Sequence, residues 1–523
     1  MDLSRRAFLA GSLTLGAGAA IGVTGCSQSS SSNSSSGEKE SALAKEHNPS
    51  TTEEFDVVVV GSGTAGTAAA LHAAELGKSV ICVEKNTGLG GTSSFAEGFC
   101  GINTKFQAEQ GITIDNAAVL ADTLKYHHFA CLGPVAKAFI NNCGTAVDWL
   151  QDNGVEFAAV EALGNSYKVW HLPAGEGGMP TTVKHVLDIL VPKAEELGVE
   201  FRTSTPMTDL AVEGDSVVGV YVGDEKEETL LKAEAVVLAS GGYASNPELF
   251  EKFTGRPYDQ VHVWGMDGRD GDGITAATGT AKAETHIPSA VMYHTGMFEG
   301  TTAFSDIPNF TLTMQPTLRL NAEGKRYFNE SITADFSSTG NVLTSQTDNY
   351  VFFDEGFINH IETAGPFYPM PNLGAFVGQP FECREGIVSC EGIIQADTIE
   401  GLAKELGLDT DTVVASVEKY NGYCKSGVDE DFGKPAEQLL ALETPPYYAG
   451  RITPTLFTTV GGLRTNEDMR VISTDGLPIP GLYACGGDAS GIYGANYDVD
   501  VCAGSQQGWA VTSGYLAAER IAE

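Results

Sequence analysis

The chain has 523 residues, with 68 acidic against 31 basic side chains, a formal net charge of -37 and 42% hydrophobic residues. So acidic an exterior repels nucleic acid and anionic lipid surfaces, and fits a soluble globular protein whose surface is well solvated. The length can bury a large core and predicts two or more structural units.

The first 26 residues are read as a signal rather than as fold. Ser4-Arg5-Arg6-Ala7-Phe8-Leu9 carries paired arginines ahead of a Gly/Ala-rich apolar run that ends near Val23, and this resembles a twin-arginine export signal. Val23-Thr24-Gly25-Cys26 further resembles a lipoprotein cleavage site with Cys26 as the acylated residue; a plain cleaved signal with an incidental cysteine is the other reading. Residues 27–54, rich in serine, would be a flexible tether. The expected location is outside the cytoplasm, at the outer face of the membrane or in the periplasm, with a lipid anchor.

Phe55 to Val60 is a run of the kind that fills a buried parallel strand, and it leads into Gly61-x-Gly63-x-x-Gly66 and a helix-forming stretch, Thr67 to Leu76. The first glycine permits the tight turn, the second lets backbone approach a pyrophosphate, and the third lets helix pack on strand. Val80 to Val83 gives the next strand and ends at Glu84, about 20 residues on, where a carboxylate can hold a ribose hydroxyl. The site is therefore that of a dinucleotide. Gly88 to Ser94 adds a second glycine- and hydroxyl-rich loop that can wrap the cofactor's middle.

Helices are predicted over Asp115–His128, Gly133–Asn153 and Thr181–Leu197, a hairpin about Glu213-Gly214-Asp215, and a buried strand Leu231–Ala239 that closes on Ser240-Gly241-Gly242. From Pro257 to Ser389 the pattern changes to short strands, aromatics and loops, which reads as an insertion. Helices return over Ala396–Leu408 and Asp409–Ser426, then Gly481 to Asp488 ends another strand, and a last helix begins near Ser505. No Cys-x-x-Cys motif supports a haem, cluster or zinc site, and the Cys383/Cys390 spacing leaves a disulfide open.

Several stretches in this order together resemble the flavoprotein of the fumarate reductase and succinate dehydrogenase family: the nucleotide turn, Ala239 to Gly242, Asn321 to Glu330, Ala396 to Ala403, Pro445 to Ala449, Gly461 to Leu463 and Pro480 to Asp488. The resemblance covers residues 55–523. It implies an α/β fold, with a discontinuous Rossmann-like FAD-binding domain at 55–256 and 390–523 and an inserted α+β capping domain at 257–389. It further implies that Gly61, Gly63, Ala65 and Gly66 meet the pyrophosphate and Glu84 the adenosine ribose. Thr92, Ser93 and Gly98 would lie over the flavin, beside Gly241, and Asp488 on the ribityl chain, where the family has Glu. Ser505, Gln506 and Gln507 would begin a helix whose positive end faces the flavin. Members with covalent FAD use a histidine after the Gly-Gly loop; Thr92-Ser93-Ser94-Phe95 has none, so the FAD is expected to be non-covalent. No metal is expected.

The departures bear on the substrate. Where the resemblance leads one to expect the proton-donor arginine, the tail arginine and the clamp histidine stand Ala334, Tyr497 and Thr458, and His294 matches the remaining histidine. Without the arginine forks, two carboxylates would lose their hydration uncompensated, so fumarate is not the expected substrate. A tyrosine in the tail resembles the ketosteroid dehydrogenases, which polarise an enone with phenols. Tyr497 and His294 are thus the acid candidates, against a packing tyrosine and a structural histidine. Tyr293, Tyr327 and Tyr493 are weaker candidates. The expected activity is hydride transfer from flavin N5 to the C=C bond of an enone or unsaturated acid, with electrons from a separate membrane cytochrome or quinol-linked donor in anaerobic respiration. Desaturation of a ketosteroid-like substrate and a non-catalytic flavin electron carrier are the alternatives.

Overall fold

The main sheet is built outward from the buried run that ends in the nucleotide turn. The computed structural model describes residues 47–163, 166–224, 227–287, 291–303, 306–369, 373–494 and 496–523. The paired arginines, Cys26, the tether up to residue 46, and Ala495 lie outside the described residues. Strand Thr51–Val60 pairs in parallel with Val80–Val83 on one side, Val57 opposite Val80, and with Glu228–Leu238 on the other, Val60 opposite Leu238. Beyond these come Glu200–Arg202, parallel to the Val80 strand, and Pro478–Ala484, parallel to Glu228–Leu238. Val57, Val58 and Val59 are fully buried, as a strand covered on both faces requires.

Helix Thr64–Glu75 and the C-terminal helix Ser505–Ala522 pack together beneath this sheet. Their contact is close because it is made through small residues: a Cβ on Gly514 would stand 2.3 Å from the Ala65 carbonyl oxygen. Helices Asn116–Tyr126, Gly133–Asp152 and Val183–Glu196 appear where periodicity predicts them, within a few residues at each end.

The second sheet centres on the long strand Tyr447–Thr459. It pairs with His262–Val263, Val291–Phe298, Asn349–Asp354 and Ile394–Ala396, while Leu318–Asn321 adds to the far side of Asn349–Asp354. Leu402, Val413 and Val417, from the helices after residue 396, share a core with Leu318, Leu320 and Phe352. The pairing therefore joins residues 394–459 to the second sheet, and the boundary expected at 389/390 falls inside it. Period-2 patterning shows that a segment is a strand but not which distant segment it pairs with. Cys383 and Cys390 are both free thiols.

Candidate active site

The carboxyl ends of the parallel strands open onto a cleft of about 980 Å³. Gly61 leaves its strand at φ 101°, and a Cβ there would stand 2.3 Å from the Ala239 carbonyl oxygen. A Cβ on Gly66 would come within 1.8 Å of Gly61 O, so side chains are barred where helix meets strand. Glu84 is fixed rather than free: its Oε2 accepts from the Ser62 N–H at 3.1 Å and hydroxyl at 2.8 Å, and its Oε1 from the Asn86 N–H at 2.9 Å. Across the cleft the Ser93 hydroxyl accepts from Thr64 N at 3.2 Å and Gln507 Nε2 at 3.4 Å. Lys85 holds the opposite rim by ion pairs to Asp270 at 2.7 Å and Asp272 at 2.5 Å.

Gly61, Gly63, Ala65, Glu84, Thr92, Ser93, Gly241, Gln506 and Gln507 all line this cleft. Asp488 does not. It is buried behind the cleft, where Oδ2 accepts from Ser240 N at 2.5 Å and Ser240 Oγ at 2.8 Å, and Oδ1 accepts from Gly242 N at 2.9 Å. Its carboxylate shapes the 240–242 turn. Thr458, at the expected clamp position, is a cleft residue too. Sequence reasoning missed Arg269, whose guanidinium donates to the Met266, Trp264 and Phe457 carbonyls at the cleft wall. Burial pushes its pKa down to about 10, which still leaves it a cation at neutral pH. No motif marks it, because its partners are backbone atoms.

Gln506 and Gln507 connect this cleft to a second cavity of about 750 Å³, and Phe457 stands in the wall of both. Phe95, Leu163, Trp170, Met314, Phe336 and Val499 make the second cavity apolar, and among the described residues no lysine or arginine lines it. His294 and Tyr497, far apart in sequence, meet here. Gly98 is in this wall rather than in the cofactor cleft; a Cβ on it would lie 2.3 Å from the His171 carbonyl oxygen. Ala334 is not among the lining residues.

His294 projects from strand Val291–Phe298, with its ring 4.7 Å from that of Phe336 and Nδ1 3.2 Å from the Thr295 hydroxyl. Burial pushes its pKa down to about 3, so the imidazole is neutral at physiological pH. Burial raises the Tyr497 phenol pKa, although the Ser505 hydroxyl and the Gln506 N–H beside it pull the other way. Ser505 itself faces inward: its hydroxyl donates to Asp498 O at 2.9 Å and accepts from Tyr493 at 3.0 Å. Tyr293 and Tyr327 are not lining residues. The first accepts from Arg256 at 3.1 Å, and the second donates to Asn349 at 2.7 Å. The aromatic wall could not be read from sequence, since Phe95, Trp170, Phe336 and Phe457 come from four separate segments.

The first cleft fits a bound flavin dinucleotide. The glycine contacts leave a cradle that only backbone can line, and the buried Gln506 and Gln507 Oε1 atoms, at the junction of the two spaces, have no hydrogen-bond partner among the described residues.

Residues 56–498 match the family model described as FAD binding domain. A vinyl phenol reductase of Lactiplantibacillus plantarum is 33% identical over 486 residues, spanning 88% of this chain and 95% of that protein. A fumarate reductase (cytochrome) of Shewanella frigidimarina is 28% identical, over 93% of this chain and 79% of its own. The open conformation of a flavocytochrome c3 fumarate reductase superposes with a TM-score of 0.71 at 25% identity, covering 90% of this chain and 79% of that one. The cleft is thus an FAD site, and the chain belongs to the FAD binding domain family of fumarate reductase-type flavoproteins, FAD-dependent oxidoreductases acting on CH–CH groups.

Proposed function

We propose that this enzyme reduces the activated C=C bond of an aromatic or enone substrate with at most one carboxylate, vinyl phenol being the first to try. The observation that carries the reading is the largely apolar cavity at the end of the cofactor cleft, whose polar side chains are Tyr497, His294, Glu97, Gln506 and Gln507, with no lysine or arginine in its described lining. A flat, weakly charged molecule buries its rings against Phe95, Trp170, Phe336 and Phe457 at roughly 25 cal/mol per Å² of apolar surface. A dicarboxylate would surrender two hydration shells there with no guanidinium to replace them, a cost of several kcal/mol per ion. The similarity to a vinyl phenol reductase points the same way.

Bound FAD supplies the hydride. The chain's residues do the rest. The Tyr497 phenol holds the proton for the second alkene carbon, and the Gln506 N–H beside it can stabilise the oxygen that remains. His294, held neutral by burial, can hydrogen-bond to an uncharged substrate oxygen without demanding an anion. The aromatic wall excludes water, which strengthens both interactions.

Electrons come from a separate donor, a membrane cytochrome or quinol-linked protein, and the enzyme works outside the cytoplasm, tethered through Cys26. The paired arginines and the cysteine of the N-terminal segment support this placement. The test is oxidation of reduced viologen dye by the FAD-loaded protein, offered vinyl phenol, cinnamate, simple enones and fumarate. Vinyl phenol or an enone is expected to turn over, with fumarate slower by on the order of 100-fold. Preference for fumarate, or no turnover with any olefin, would refute the reading. Reduction of an oxidised dye by saturated ketones would instead mark a desaturase.

A further inference from the structure

Behind Tyr497 lies a buried pair that the reaction as described does not use. Asp498 is the next residue along, and its carboxyl turns away from the substrate cavity into the interior, where its Oδ2 stands 3.9 Å from His127 Nε2. Both side chains are almost wholly buried, at 2% and 0% exposure. Asp498 Oδ1 accepts from the Val501 N–H at 2.8 Å and the Cys502 N–H at 3.1 Å. Oδ2 and both His127 ring nitrogens have no hydrogen-bond partner among the described residues, so the two groups face each other alone. The backbone is strained to put His127 there. His128 and Phe129, directly after it, hold φ angles of 50° and 59°, and a Cβ on Gly494 would collide with the His127 carbonyl oxygen at 2.6 Å.

Among the described residues, no lysine or arginine figures in the electrostatics of the pair. His128, Tyr126 and Cys131 flank the pair from the helix end and its turn, Asp335 from the N-cap of helix Phe336–Leu343, Asp500 and Cys502 from the loop of Asp498 itself, and Tyr493 and Tyr497 from the other side. The acidic neighbours Asp335 and Asp500 disfavour a charge on Asp498, as does burial. The Ser505 hydroxyl ties the pair to the cavity: it donates to the Asp498 carbonyl, accepts from Tyr493 and adjoins the Tyr497 phenol.

Resting on Tyr497 as the proton donor, we propose that Asp498 holds one proton behind it, opposite a neutral His127, and that Asp498 is a positioning residue whose charge governs that donation. With the proton in place, Asp498 is neutral. The Tyr497 O–H bond then breaks toward the substrate carbon, the new C–H bond forms, and the phenolate accepts from the Gln506 N–H until solvent returns its proton. With the proton lost, an unscreened carboxylate next to the phenol opposes a second negative charge, and the transfer is suppressed. Burial brings the Asp498 pKa up to about 7 and the His127 pKa down to about 4, which puts this change near neutral pH.

The full chain loaded with FAD tests this in two ways. Turnover of vinyl phenol with reduced viologen is expected to fall above pH about 7 to a lower plateau, with a midpoint set by Asp498. In Asp498→Asn, turnover should persist and that alkaline limb disappear; an unchanged limb overturns the proposal. Independently of activity, the infrared carbonyl stretch of a buried protonated carboxylic acid should vanish over the same pH interval in the wild type and be missing throughout in Asp498→Asn. No such band in the wild type overturns the proposal as well. Tyr497→Phe separates the two readings. It should lose turnover yet keep the titrating band, whereas full activity in Tyr497→Phe removes the donor itself even if the band remains.

Discussion

Tyr497 and Gly66 sit at opposite ends of the cofactor path, and each fails for a different physical reason. Tyr497→Phe keeps the ring that packs in the cavity and removes only the proton, so turnover of vinyl phenol should fall by about 10²–10⁴-fold, with the bound-flavin absorbance unchanged. A drop in flavin content of the same size would make Tyr497 a cofactor contact instead. Gly66→Ala is the converse. Its Cβ has Gly61 O at 1.8 Å, a backbone atom that cannot step aside, so the turn must open and the purified protein should carry little FAD. Wild-type flavin content in that variant would refute the close-contact argument. The glycines were legible in sequence because the constraint is local: strand, turn and helix follow one another along the chain. Asp488 was legible as a residue of this region, but the donors that hold its carboxylate were not, since all three belong to Ser240 and Gly242, some 250 residues earlier. The aromatic cavity wall was not legible at all, because an isolated phenylalanine carries no sign of what it faces.

Among the elements, the pair formed by helices Thr64–Glu75 and Ser505–Ala522 bears on function most directly, since the first opens at the nucleotide turn and the second presents Gln506 and Gln507. His72 clasps them: Nδ1 meets Glu75 at 2.7 Å, Nε2 meets Glu519 at 2.8 Å, and the ring stacks on Tyr515 at 4.2 Å. Burial alone would lower the His72 pKa, but the hydrogen bonds and charges of Glu75 and Glu519 outweigh it, and the net shift is upward. A group whose folded pKa is raised stabilises fully below its unfolded value, near 6.5, and loses that contribution as pH rises through the folded value. Thermal midpoints measured from pH 6 upward should therefore decline by more in the wild type than in His72→Gln, the gap closing at alkaline pH. Equal slopes would deny His72 this role. These helices were visible as periodic segments, and so were the buried parallel strands. The second sheet was not: strand Tyr447–Thr459 finds partners as far back as His262, and nothing in a local pattern encodes that pairing. The expected domain boundary at 389/390 misplaced the helices after Ala396 for the same reason, because each is amphipathic and would suit either core.

For the molecule as a whole the dominant quantity is charge. With 68 acidic and 31 basic side chains, carboxylates outnumber lysines and arginines by 37. Several of the cations are committed inside: Arg326 reaches both Glu330 and Asp429 at 2.7 and 2.8 Å with its side chain 5% exposed, and Arg269 is spent on carbonyl groups. Salt acts differently on the two populations. It barely screens the buried pairs, and it cannot weaken exposed pairs by much because each contributes only about 0–1 kcal/mol. The unpaired carboxylates repel over the Debye length, roughly 30 Å in 0.01 M salt and 10 Å in 0.1 M, distances that reach across much of a protein surface at the lower concentration. Raising sodium chloride from about 0.01 to 0.3 M at pH 7.5 should therefore raise the thermal midpoint of the FAD-loaded protein, by roughly 1 °C for each kcal/mol of repulsion removed. The gain should shrink near pH 5, where carboxylates begin to take up protons and the repulsion is already lower. A midpoint that falls with salt would mean that attractive surface pairs, such as Lys105 with Asp152 or Arg451 with Asp348, outweigh the excess of negative charge.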